Sequence, residues 1–416
     1  MKATSIRNIL LGLTLVVLSF GVGVNYGRNS DTSFIPSGRP KVVNTTPPPS
    51  KNVDFSLFWD VWRRLEESYI DKKAIDPSKM VYGAISGMVS ALGDPYTVFL
   101  PPSQNKESKD SLGGHFEGIG AQLGVKDKKI IVVAPLKGTP AEKAGLRASD
   151  WIVKVDGKDT ADWTLPETVS AIRGQKGTKV VLTILRKDEE KTRDVSVVRD
   201  TINVPSVEWE MKDSGRGKVV YLKLSQFGDK SNNEWDKAVE EIEARLKNDN
   251  NREIKGLVLD LRNNPGGYLS GAVYIASEFV ENGNIVTQES TGEVKKNFNV
   301  NRTGKLIDIP VVVLVNKGSA SASEIVAGAL RDRIGAKLVG ETTFGKGSIQ
   351  DVQELPAGAG LHITIAKWLL PSGKWVNGSG IKPDLVVENE EATASAQTPE
   401  AESDEQLDKA IEMLTK

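Results

Sequence analysis

The sequence predicts a multidomain α/β protein, and three features predict it. Strands and helices alternate through residues 207–387. Residues 113–198 hold a self-contained run of short strands with two short helices, and residues 53–103 carry helical periodicity. At 416 residues the chain has room for two or three domains and a sizeable core. Its 54 lysines and arginines balance 55 acids, so nothing in the charge points to nucleic acid, and no nucleic-acid partner is expected. There is no cysteine, so no disulfide holds the fold.

Lys2 and Arg7 precede residues 9–24 (ILLGLTLVVLSFGVGV), an uncharged and mostly apolar run. Basic residues ahead of such a run favour an N-terminus left in the cytoplasm. No strong small-x-small cleavage site comes after it. Residues 1–28 therefore read as an uncleaved, single-pass membrane anchor, with a signal peptide cleaved near the weak site Gly21-Val22-Gly23 as the alternative; either places the remainder outside the cytoplasm, in the periplasm or at the cell surface. A buried core helix is the competing reading, and the adjoining linker argues against it. Residues 29–52, rich in Ser, Thr, Pro and Asn, read as a flexible tether. In residues 53–103, Phe55, Phe58, Trp59, Trp62 and Leu65 share one helical face and are expected to be core. Met80, Ala84, Met88 and Leu92 mark a second helix, ended by Gly93 and Pro95.

In residues 113–198, Gly118-Ile119-Gly120 opens a strand, a short helix begins near Pro140, Asp156-Gly157 makes a turn, and residues 165–172 form a second helix. This order resembles a PDZ domain, in which a peptide adds as a strand to a sheet edge. Its terminal carboxylate is held by backbone N–H groups of a hydrophobic-glycine loop. The matching loop is Gly118, Ile119 and Gly120, with Leu123 as a pocket wall; a tight turn without ligand is the bland alternative. His115, beside this loop, reads as a surface histidine. Arg173, ending the second helix, reads either as a charge at a helix C-terminus or as a relay from this module to the core at 207–387.

That core offers two chemical turns. In GLVLDLRNNPGG (residues 256–267) a strand runs into Pro265-Gly266-Gly267, which leaves backbone N–H groups free to meet an oxyanion. Asp260 and Arg262 read as a strand-end pair holding that turn. In residues 311–350 a five-residue aliphatic strand leads into serines 319, 321 and 323, then a helical spacing, and a later strand runs into Gly345-Lys346-Gly347. Ser321 with Glu324 also has the form of a capping box, so the serines need do no more than start a helix. Gly340 with Gly345-Lys346 is a near miss to a phosphate loop, rejected because Gly347 stands where Ser or Thr must hold magnesium. With only His115 and His362 in the chain, an activated serine needs one of them or a neutral lysine as base. Burial keeps a lysine amine neutral, and Gln350 has the chemistry to accept from that amine without re-protonating it. His362 alternates with apolar neighbours in a strand and reads as structural.

GSASASEI, with FGKGSIQ placing Lys346 25 residues after Ser321, resembles the carboxyl-terminal processing proteases, the tail-specific S41 serine peptidases. The resemblance covers residues 55–387, includes LGDPYTVFL (residues 92–100), and ends on residues 363–387 (ITIAKWLLPSGKWVNGSGIKPDLVV). It implies an α/β core of ClpP/crotonase-like architecture carrying an inserted PDZ domain and an N-terminal helical region. It implies Ser321 as nucleophile, Lys346 as general base with Gln350 beside it, and Gly267 and Ala322 as oxyanion donors, with Gly266 the neighbouring candidate. Asp332 matches an acid that some members carry, an accessory at most. The expected activity is cleavage of proteins or peptides bearing a free C-terminus, through an acyl-enzyme and without cofactor or metal. Residues 388–416 read as an acidic tail ending in a short amphipathic helix, with a homo-oligomer contact as that helix's suggested role. Two rivals are a catalytically inactive PDZ scaffold that only binds peptides and a crotonase-type acyl-CoA enzyme. The intact Ser321, Lys346 and Gln350 set disfavours the first, and the PDZ-like module disfavours the second.

Overall fold

The computed structural model describes residues 54–126, 129–186, 189–388 and 404–416. The anchor and tether expected at 1–52 lie outside the described residues. No described helix is long and apolar enough to cross a membrane. The described residues divide into two compact units, one up to Met88 and one from Val89 onward.

The first unit holds the helix Ser56–Ser68 and most of the helix Pro77–Ser90. Its aromatic stripe, expected to be core, is a surface instead. No residue of Ser56–Ser68 is buried, and Phe55 and Trp59 are 50% and 37% exposed. Phe55, Phe58, Trp62 and Leu65 join Leu57, Val61 and Met80 around an apolar groove of about 550 Å³. Two short helices have too little mass to enclose side chains of this size.

The second unit is built on a six-stranded sheet. An antiparallel edge strand, Val207–Asp213, leads to five parallel strands: Lys218–Leu224, Ile254–Asp260, Val311–Val315, Lys337–Gly340 and Leu385–Val386. Every side chain of Val311–Val315 is buried, as a parallel strand covered on both faces requires. Alternation divides those side chains between two cores. Leu257, Leu259, Val311, Val313 and Val315 face the helices Ser231–Lys247, Leu269–Ala276 and Ala322–Ile334, with Trp235, Ile275 and Val326 in the same cluster. Val219, Val258, Val312, Leu314 and Val339 face the other way, onto Leu407 and Ala410.

Those last two residues belong to the C-terminal helix Glu405–Thr415, read from sequence as an oligomer contact. Its apolar face is used inside the chain, because the sheet's second face needs a cover. Asp404 fixes its start, taking a two-pronged hydrogen bond from Arg262 at 2.7 Å for each nitrogen. Arg262 also donates to Asp260, so the expected strand-end pair is present and reaches the C-terminal helix as well.

A second sheet packs the strand Gly360–Leu369 between Val98–Leu100 and Asn284–Ser290, with Ser348–Glu354 also paired to it. The loop joining Lys337–Gly340 of the first sheet to Ser348–Glu354 of the second carries Lys346. The helix Ala322–Ile334, which begins just after Ser321, leaves the strand Val311–Val315 of the first sheet. The PDZ-like module has its own core, including Ile119, Val132, Ile152, Leu182 and Val197. It joins the rest through the ribbon His115–Gly118 and Asp200–Asn203, whose strands, among the described residues, pair only with each other.

Candidate active site

The three serines of GSASAS have different fates. Ser319 and Ser323 are fully buried. Ser319 Oγ donates to Leu261 O at 2.7 Å, and Ser323 Oγ donates to Asn264 O at 2.8 Å. Together they bind this turn to the one carrying Gly266 and Gly267. Ser321 is half-buried and sits at the N-cap of Ala322–Ile334 with φ 54° and ψ −113°. Positive φ is strained for a residue with a Cβ. A strained strand-to-helix turn of this kind projects a hydroxyl clear of the backbone.

The glycine turn lies against it. A Cβ on Gly266 would come within 2.9 Å of Ser321 Cβ and 3.0 Å of Ala322 N, at φ +99°. Gly266 N–H donates to Asn264 Oδ1 at 2.9 Å, which removes it as an oxyanion donor. Among the described hydrogen bonds, the N–H groups of Gly267 and Ala322 have no acceptor. Unpaired donors on both sides of a hydroxyl suit a developing oxyanion.

The lysine loop is tied to the serine turn through Glu324, which is fully buried. One carboxylate oxygen accepts Ser321 N–H at 2.8 Å and Lys346 N–H at 2.9 Å. The other accepts Gly345 N–H at 2.7 Å and Thr343 Oγ1 at 2.5 Å. Lys346 O accepts from Trp368 Nε1 at 3.0 Å. Both ends of the Lys346 backbone are thus held. Burial pushes the Lys346 amine below its ordinary value, with the charge of Asp94 acting the other way. None of the described hydrogen bonds joins the amine to Ser321 Oγ, a contact that in unliganded enzymes often tightens only with substrate bound. Among the described residues no cluster of three or more His, Asp or Glu is placed to hold a metal ion.

Residues 218–387 match the model of peptidase family S41, residues 131–186 that of PDZ domains, and residues 35–103 that of the activating protease CtpB N-terminal domain. The chain is 36% identical over 357 residues to the carboxy-terminal processing protease CtpA of Bacillus subtilis, covering 86% of this chain and 74% of that one. It is 39% identical over 335 residues to the carboxy-terminal-processing protease of Bartonella bacilliformis, covering 80% and 74%. The chain belongs to this family. The solved structure of the photosystem II D1 C-terminal processing protease is similar to it, with a TM-score of 0.50 at 29% identity over 80% of this chain and 92% of that one. The fold read from the sequence, an α/β S41 peptidase core with a PDZ domain and an N-terminal helical region, is the one the protease has.

In the protease's PDZ domain, the strand Ala121–Lys126 ends the sheet and pairs on one side only, with Lys129–Pro135. Ile119 is buried and Gly120 adopts φ +76°. Neither N–H has an acceptor among the described hydrogen bonds, and Leu123 packs against the domain core. Arg173 lies over the Phe116 ring at 4.9 Å, and its stem reaches to Gly118. With Lys106, His115 and Gln226 it lines a cavity of about 580 Å³ at the ribbon.

Gln350 Nε2 donates to Ser348 Oγ at 2.8 Å and to Thr364 Oγ1 at 3.2 Å, while its carbonyl oxygen has no donor among the described hydrogen bonds. Asp332 accepts from the N–H and Oγ of Ser372, a link between helix and loop. His115 lies at the ribbon, beside Asp110. His362 is close enough for the Lys346 charge to act on it: burial first, then that charge, push its imidazole down. Sequence reading missed Asp94 and Tyr96. Both lie in the phrase LGDPYTVFL, which carries the family resemblance but no chemistry that can be read locally; the Tyr96 ring meets the Lys346 amine across some 250 residues, and Asp94 acts on that amine through its charge.

Proposed function

We propose that the protease is a membrane-anchored, extracytoplasmic serine endopeptidase that takes hold of the C-terminal tails of proteins through its PDZ domain and cuts them with a Ser321–Lys346 dyad. The observation that carries the proposal is the Glu324 carboxylate, which fastens the backbone of a half-buried, strained serine to that of a half-buried lysine. Neutral Lys346 takes the Ser321 proton, Oγ attacks the peptide carbonyl, and the oxyanion rests on the N–H groups of Gly267 and Ala322. The lysine then hands its proton to the leaving amine, and water hydrolyses the acyl-enzyme. Gln350 keeps the amine oriented through its carbonyl oxygen.

Capture by the PDZ domain is supported by the free edge of Ala121–Lys126 and by the unpaired N–H groups of Ile119 and Gly120. A peptide substrate with a free carboxylate should therefore be cleaved with a KM lower by roughly 10- to 100-fold than its C-terminally amidated form, the worth of charged hydrogen bonds. Their kcat values should lie close together. Equal KM values for the two peptides would remove C-terminal recognition from the proposal. The anchor is tested by fractionation: full-length protein should sediment with membranes and be digested by protease added outside intact spheroplasts. Recovery in the soluble cytoplasm would refute it.

A further inference from the structure

The Lys346 amine lies 5.1 Å above the centre of the Tyr96 ring, within cation–π range. Tyr96 belongs to a turn that the fold holds rigidly. Asp94 accepts Tyr96 N–H at 3.1 Å and Thr97 Oγ1 at 2.6 Å, and Thr97 Oγ1 accepts Thr364 N–H at 3.0 Å. The next strand, Val98–Leu100, pairs with Gly360–Leu369, so the turn is built into the same sheet as Ser348–Glu354, the strand that the lysine loop enters. Burial alone makes a lysine neutral but also makes its ammonium costly, and the ammonium is what forms when the serine proton arrives. A group that acts on the charged form only is an interaction gained in the transition state, which is where binding accelerates a reaction.

We propose that the 94–97 turn is a positioning device of the active site, in which the Tyr96 ring face and the Asp94 carboxylate receive the ammonium of Lys346 as it forms. The inference rests on the Ser321–Lys346 dyad proposed for this site. In the step concerned, the Ser321 O–H bond breaks, its proton bonds to Nζ, and an Oγ lone pair forms the bond to the carbonyl carbon. The carbonyl π pair moves onto its oxygen. The same proton leaves Nζ for the departing amine when the C–N bond breaks.

The charged or titratable groups around the amine are Asp94 and Tyr96 from the turn, Glu324 from the serine helix and His362 from the strand Gly360–Leu369. Glu324 is saturated by four donors, and its charge is felt at Tyr96, whose hydroxyl is pushed up by burial and then by Glu324 and Asp94. Glu354 acts on His362. Asp94 itself is held below its ordinary value: burial opposes this, but hydrogen bonds from Thr364, Thr97 and Tyr96 outweigh it. It is a carboxylate across the working pH range.

The test is the pH dependence of kcat/KM for peptide cleavage by the full chain. Activity rises as Lys346 loses its proton, so weaker support for the ammonium moves that rise to lower pH. Tyr96→Leu should shift it down by roughly half a pH unit and lower the plateau roughly three- to tenfold. Tyr96→Phe, which keeps the ring face, should hold the rise at its wild-type position. Asp94→Asn, which keeps an acceptor oxygen for the turn, should shift the rise the same way as Tyr96→Leu, and it carries the test if Tyr96→Leu fails to fold. A rise that stays at its wild-type pH in Tyr96→Leu and Asp94→Asn overturns the inference, as does one that moves with His362→Asn instead. Lys346→Ala measured alongside separates the two proposals: activity retained there sinks the dyad itself, whereas an inactive Lys346→Ala with an unmoved Tyr96→Leu profile sinks only the role of the turn.

Discussion

Lys346→Met and Lys346→Arg should each lose peptide cleavage by about 10⁴-fold or more in kcat, the scale on which removing a member of a nucleophile–base set acts. Methionine keeps the apolar stem and removes the amine. Arginine keeps the charge but cannot give up its proton, so it distinguishes a neutral base from a cation that merely steadies the site. The loop should survive both changes, because its backbone is fastened by Glu324 and Trp368 rather than by the side chain. Stability adds a second readout with a definite sign. The folded protein holds the Lys346 amine below its ordinary value, chiefly through burial. Folding therefore releases a proton wherever the pH lies between the folded and unfolded values, and this costs stability below the unfolded value. The cost grows as the pH falls and becomes constant below the folded value. Lys346→Met should accordingly melt at a higher temperature than the wild type at neutral pH, with the difference closing as the pH approaches the unfolded lysine value. A variant that is inactive but melts earlier would point to a structural lysine.

Glu324→Ala should damage stability and catalysis together. Three backbone N–H groups and one hydroxyl converge on its fully buried carboxylate. Each buried donor left without an acceptor costs about 1–3 kcal/mol, so a loss of about 3–5 kcal/mol in unfolding free energy is expected after local relaxation. The serine turn and the lysine loop also lose their common anchor, and kcat should fall by roughly a hundredfold or more, as it does when catalytic geometry slips by about an ångström. Glu324→Gln preserves the shape and one acceptor oxygen, so it should fall between the wild type and alanine in both measures. Urea unfolding and kcat measured on the three proteins check this ordering. Wild-type unfolding and wild-type kcat in the alanine variant would contradict it.

How much of the site is legible in the sequence depends on how far each contact reaches. The GSASAS and FGKG phrases mark the serine and the lysine, and the hydrophobic alternation marks the strands that carry them. What singles out Ser321 from Ser319 and Ser323 is long-range: the outer two are committed to Leu261 and Asn264, 58 and 59 residues away. Glu324 is legible only as a capping partner three residues from Ser321, because its other partners lie at 343, 345 and 346. Arg262 is paired correctly with Asp260, but Asp404 is 142 residues further on. The misreading of the stripe at 55–65 has a physical cause: an amphipathic pattern announces an apolar face without naming what covers it, so an exposed stripe reads as core.

The most direct measurement is a crystal structure of the protease with a peptide boronate bound covalently to Ser321. The account predicts the Lys346 amine at hydrogen-bond distance from Ser321 Oγ, about 3 Å, with a boronate oxygen on the N–H groups of Gly267 and Ala322. An amine turned away from the adduct, with Oγ served by another group, would contradict it.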